Sequence, residues 1–170
     1  MMDPISTPRP LFEERVRFGR SLPPEVNALL QQAASHADDF PEAEQSLLTA
    51  RRMAPEQLEV LVALYKLYFY RGLTEQAERI VTDALTGAAS GGGFASDWRM
   101  LGPDSTDWRV SEGPARIYLY SLKALTFIRL RQGDPDGAAE LLATLRRLDP
   151  DDQVGAGVLS DLAEGLAEES

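Results

Sequence analysis

Cysteine is absent from these 170 residues, histidine occurs once and lysine only twice. Each scarcity removes a class of chemistry. Without cysteine there is no disulfide framework, no thiolate nucleophile and no sulfur ligand for a metal. With His36 alone, no histidine pair can hold a metal, and a Ser–His–Asp set would have to be built around one residue at a helix end. Charge is also one-sided: 27 carboxylates against 17 Lys and Arg give a formal net charge of −10. Phosphate backbones are bound by basic stripes, so nucleic acid is not an expected partner. No stretch approaches the ~18 uninterrupted apolar residues of a membrane span, so no membrane association is expected either. Met1–Pro10 carries Asp3 and prolines where a secretory signal needs a basic region and an apolar run, which makes a cytoplasmic location the expectation.

What is present is a repeat. Leu30, Ala43, Leu47 and Ala50 recur as Leu64, Ala77, Val81 and Ala84, every pair separated by the same interval. A third frame, Leu125, Ala138, Leu142 and Leu145, follows at a longer constant interval, equal to one repeat plus an insertion. Such a period marks stacked supersecondary units, none of which can bury its apolar face alone.

Helix signals divide each unit in two. Pro24 opens a predicted helix over 25–36, since a first-turn proline sacrifices no hydrogen bond. Asp39 caps a second to Met53, a third covers Glu56–Arg71 with Gly72 turning the chain, and Thr74 caps a fourth to Thr86. Gly91-Gly92-Gly93, Gly102 and Pro103 break the rhythm, predicting a long loop, or a loop with one short helix, with a hinge at its start. Ser111 caps a helix from Pro114 to Gln132, Gly133 turns it, and Asp134-Pro135 opens another to Leu148. Val154, Val158, Leu159, Leu162 and Leu166 predict a terminal helix over the last open face.

The run Leu58-x-x-Leu61-x-x-Leu64-x-x-x-Tyr68-x-x-x-Gly72, continued by Ala77, Val81 and Ala84, resembles the tetratricopeptide repeat family. Gly133, Ala138, Leu142, Leu145 and Asp149-Pro150 close a third unit in the same way, while the first unit has Asp38 in place of the turn glycine. The resemblance implies an all-α, right-handed helical-repeat solenoid of antiparallel helix pairs. Its organisation is a tail over 1–22, repeats over 24–57, 58–86 and 114–152, an insertion over 87–113 and a capping helix over 153–168.

In that family the first helix of each pair lines a concave groove. The groove positions that the resemblance assigns include Gln32 in the first unit, Glu59, Val62, Lys66, Phe69 and Tyr70 in the second, and Tyr120, Lys123, Phe127 and Arg131 in the third. Both lysines of the chain fall among them. An aromatic, locally cationic groove on an acidic molecule suits a peptide with apolar anchors and acidic flanks. The family's lysine/asparagine clamp for a terminal carboxylate is missing, its places being taken by Ala28, Gln32 and Ala63. A second resemblance, carried by Gly113-Pro114-Ala115-Arg116 leading into Leu122-Lys123-Ala124-Leu125, is to small repeat proteins that accompany bacterial nitrogen-fixation genes.

Other motifs have plainer readings. The glycine triplet lacks the Lys-Ser/Thr of a phosphate loop. Asp149-x-Asp151-Asp152 lacks the glycine and the bidentate acid of a calcium loop and reads as the turn closing a repeat. The insertion holds both tryptophans in one local context, Asp97-Trp98-Arg99 and Asp107-Trp108-Arg109, and with Phe94 they form an expected lid or second contact surface.

No catalytic residue, metal or cofactor is expected. The expected function is non-catalytic: a bacterial, cytoplasmic adaptor or chaperone-like assembly factor binding another protein's peptide segment. The alternatives are a self-assembling homodimer whose groove is filled by its own tail, motivated by Leu11, Phe12, Val16 and Phe18, and an accessory protein of a nitrogen-fixation system.

Overall fold

The computed structural model describes residues 22–169, with side chains through Glu164. The tail expected at the N-terminus lies, up to residue 21, outside the described residues. Seven α-helices follow one another: α1 (Pro24–Ser35), α2 (Phe40–Met53), α3 (Leu58–Tyr70), α4 (Thr74–Gly92), α5 (Pro114–Arg131), α6 (Pro135–Leu148) and α7 (Gly157–Glu169). A single 3-10 turn, Trp98–Met100, lies between α4 and α5, and the described residues contain no β-strand. The protein is all-α. Among the described residues no helix is long and apolar enough to cross a membrane.

Local chemistry accounts for most helix ends. Asp39 accepts a hydrogen bond from the Glu42 amide and Asp134 one from the Gly137 amide, so two helices that carry proline in their first turn are also capped by a carboxylate. Gly72 and Gly133 hold φ of +72° and +73°, a conformation that glycine adopts without a Cβ penalty. At both turns the next amide bonds back to the helix, Leu73 to the Tyr68 carbonyl and Asp134 to the Arg129 carbonyl, each at 2.9 Å. The matching turns after α3 and α5 bear out the spacing read in the sequence.

Each helix packs against its successor, α3 also touches α5, α5 touches α7, and the 3-10 turn sits on α6. Both sequence intervals reappear as burial: Ala43, Ala77 and Ala138 are all buried, as are Leu47, Val81 and Leu142. Small residues at such positions let helix axes approach to the short end of the usual ~8–10 Å. The spine is α5, with 14 of its 18 residues buried. A helix that is buried nearly all round needs neighbours on every side, and α3, α4, α6 and α7 supply them.

Some boundaries differ from the sequence reading. Thr74 is the first helical residue of α4 rather than its cap, and Gly113 rather than Ser111 precedes α5. α7 starts at Gly157, and Val154 and Ala156 are buried in the loop before it. The larger correction concerns the glycine triplet. α4 runs on to Gly92, since Ala84, Leu85, Ala88 and Ala89 prolong its buried stripe, and Gly87 fits where a Cβ would lie 2.9 Å from a Leu58 methyl group. Gly93 then ends the helix at φ +75°. The expected hinge is the last turn of a packed helix.

Candidate functional site

The face shared by α3 and α5 is built from rings. All five tyrosines of the chain lie on these two helices. Tyr65 stacks on Tyr120 with centroids 6.5 Å apart at 27°, and Phe69 meets Phe127 at 5.1 Å. The Tyr65 hydroxyl lies 3.4 Å from Ser121 Oγ, and burial pushes its phenol well above the ordinary tyrosine value against the opposing effect of that hydrogen bond. Tyr65 therefore stays neutral at physiological pH.

The two lysines converge on one ring. Lys66 Nζ stands 6.0 Å and Lys123 Nζ 5.9 Å from the Tyr120 centroid, at the outer limit of a cation–π contact. Their settings differ. Lys66 is half-buried, whereas Lys123 is 2% exposed and donates a 2.7 Å hydrogen bond to the Val154 carbonyl.

Of the other expected groove residues, Glu59, Val62, Phe69, Tyr120 and Phe127 are buried, Arg131 is half-buried at the end of α5, and Tyr70 is exposed at the end of α3. Gln32 is exposed on α1 and donates to the Glu42 carboxylate of α2 at 3.3 Å. The structure thus brings the α3 and α5 members together, with accessible surface at Tyr70, Lys66 and Arg131. Tyr65 was not among the residues expected from the sequence. The signal was the confinement of every tyrosine to two predicted helices.

The loop between α6 and α7 is tied to α5 by cations. Arg116 reaches both the side chain and the carbonyl of Gln153, at 3.2 and 2.8 Å, beside the Lys123 bond to Val154. Asp149 receives the amides of Gln153 and Val154, and Asp152, at φ +52°, receives that of Ala156. Both carboxylates are thereby spent on backbone, in keeping with a repeat-closing turn. No group of three or more His, Cys, Asp or Glu that could hold a metal occurs among the described residues.

The insertion forms a second aromatic cluster. Phe94 stands edge-on to Trp108 and to Tyr118, each at 5.1 Å, and the buried Trp108 indole donates to the Gly102 carbonyl at 2.9 Å. Burial raises the Tyr118 phenol well above its ordinary range, and the nearby Asp97 charge raises it further. Trp98 is half-buried under the Arg99 guanidinium, 4.6 Å from its ring centroid, and Arg99 pairs with Glu140 of α6 at 2.8 Å. Arg147 adds a bond to the Leu101 carbonyl. Two near-identical sequence motifs therefore have different fates, Trp108 inside and Trp98 at the rim.

Among known proteins, an uncharacterized 19.8 kDa protein in the nifW 5′ region of Azotobacter chroococcum mcd 1 is 32% identical over 154 residues, covering 89% of this chain and 85% of that protein. The chain belongs to the same family as that protein. No family model and no solved structure matches it. The relative's position beside a nif gene fits the nitrogen-fixation association noted in the sequence.

Proposed function

We propose that this protein is a non-catalytic accessory factor of a nitrogen-fixation system, a tetratricopeptide-like solenoid whose α3–α5 face holds a peptide segment of another protein. The observation that carries this reading is the paired-ring face itself, where both lysines of an acidic chain gather at one tyrosine. Successive packing of helix on helix and the buried small residues at repeat-spaced positions support the solenoid. The nif-region relative supports the pathway. The buried rings hold α3 against α5, and the accessible Tyr70, Lys66 and Arg131 at the rim of that packing offer an aromatic contact and cations that favour an acidic segment.

The test is genetic and biochemical together. Deleting the gene in its host should slow growth on dinitrogen while leaving growth on ammonium unchanged. Restoration by the wild-type gene, and not by a folded Lys66→Glu/Tyr70→Ala variant, would tie that role to the face. Equal growth of the deletion strain on both nitrogen sources would reject the pathway. Full restoration by the double variant would reject the face.

A further inference from the structure

We propose that α7 is a releasable cover over α6. Beyond Gly157 it unfolds from the molecule as a unit, while the loop that leads into it stays bound to α5, and its departure uncovers Leu142 and Leu145. This does not depend on what the α3–α5 face binds. The first support is the unequal attachment of two adjoining segments. Residues 149–156 are held by Lys123 at the Val154 carbonyl, by Arg116 at Gln153 and by the Asp149 carboxylate on two amides, with Val154 and Ala156 buried. Over its described side chains, α7 has much less. Leu159 is buried, Leu162 and Ala163 are only partly so, and Val158 is 50% exposed. The polar contact to α6 is one exposed hydrogen bond, from Arg146 to the Ser160 hydroxyl at 2.7 Å.

The second support is the helix itself. α7 has 13 residues, a length at which an isolated helix is marginal in water. Gly165 lies in its interior, and its last turn carries Glu168 and Glu169 with no cation, although that end of a helix dipole favours positive charge. So weak a helix persists by docking. Yet the docking is incomplete, for a cleft of about 280 Å³ lies between α6 and α7, lined by Leu142, Leu145, Arg146, Ala156 and Ser160. A segment with little burial and poor intrinsic helicity opens at a fraction of the cost of global unfolding. The limit of the opening is set by Asp152, which accepts from the Ala156 and Gly157 amides and keeps them with the loop. What opens to solvent is the pair of α6 leucines that line the cleft, with Arg146 beside them.

Amide hydrogen exchange of the full chain tests this without a partner. The amides of Asp161 to Glu164 should share one protection factor, at least about thirtyfold below those of Leu145 and Val154. Gly165→Ala should raise that shared factor about threefold or more and leave Val154 unchanged, because it strengthens the helix alone. By helical spacing residue 165 shares a side with Val158 and Asp161, both exposed, so the added methyl group faces outward. The absence of cysteine supplies a second measurement. Leu145→Cys should react with a thiol reagent at least about tenfold faster than Ala84→Cys, which is buried on α4, and Gly165→Ala should slow the first reaction only. A protection ratio below about thirtyfold, or protection that falls stepwise toward the C-terminus, overturns opening as a unit. Equal thiol rates, or rates indifferent to Gly165→Ala, overturn the uncovering of α6.

Discussion

Lys123 of α5 and Val154 of the loop before α7 are joined by a 2.7 Å hydrogen bond from ammonium to carbonyl. The Val154 amide in turn donates to the buried carboxylate of Asp149, so one residue's backbone is held between a buried cation and a buried anion. An arrangement of this kind offsets the desolvation of both charges while fixing the path of the loop. It gives one of the two lysines on the α3–α5 face a second task, seating the terminal helix.

Replacing Lys123 with Met keeps the length of the side chain and removes the donor. The Val154 carbonyl is then left without this partner in a buried setting, which costs about 1–3 kcal/mol. The same change at the half-buried Lys66 should cost less than about 1 kcal/mol. Chemical denaturation of the two variants measures the difference. Amide exchange at residues 153–156 should quicken only in Lys123→Met. Equal midpoints for the two would reject the clamp.

Glu78 of α4 contributes a pH-dependent term. Burial works against its charged form, but hydrogen bonds from Arg129 of α5 and from Gln132 just past its end, together with the Arg129 charge, outweigh that, and its pKa falls below the ordinary glutamate value. A carboxylate with a depressed folded-state pKa contributes stability above its unfolded value of ~4.3, and loses it as pH falls through the folded value. Glu78→Gln should therefore cost on the order of 1 kcal/mol at neutral pH, with the gap to wild type closing below about pH 4. Urea midpoints measured from pH 3 to 7 give this curve. A gap that widened in acid would contradict the assignment.

Much of the architecture was legible because it rests on short-range rules. Asp39 and Asp134 announce helix starts, Gly72 and Gly133 announce turns, and the small residues at 43, 77 and 138 announce close crossings. The run of Gly91 to Gly93 misled because glycine is read as a breaker, whereas Ala88 and Ala89 have an apolar surface to cover and carry α4 onward. That α3 and α5 share a side was expected only through the tetratricopeptide resemblance, and the structure sets Phe69 of one against Phe127 of the other. The inward task of Lys123 was not expected. It depends on a later loop, before α7, folding back to α5, a long-range event that spacing along one helix does not encode.

The repeat register has its own test. Ala77 and Ala138, which the repeat reading sets at equivalent positions, are both buried, one on α4 and the other on α6. Phe at either position would overpack its helix crossing and cost about 1–3 kcal/mol. At Ala143, exposed on α6, the same substitution should be nearly neutral, within about 0.5 kcal/mol. Thermal midpoints of the three variants check the register, and a neutral Ala138→Phe would break the equivalence.

The two tryptophans test the insertion. Trp108 is buried and hydrogen-bonded, so Trp108→Ala should remove about 3–5 kcal/mol. Trp98 is half-buried, and its indole nitrogen is buried without a hydrogen-bond partner. Exchanging it for Phe discards that unsatisfied donor and keeps an aromatic ring under Arg99, so Trp98→Phe should be neutral or slightly stabilising. Fluorescence separates the two sites because no other tryptophan contributes. The Trp98→Phe protein should emit to the blue of wild type and the Trp108→Phe protein to the red. If the two single-tryptophan spectra coincide and Trp108→Ala melts no earlier than Trp98→Phe, the insertion is not anchored through Trp108, and the asymmetry between the twin motifs has no energetic consequence.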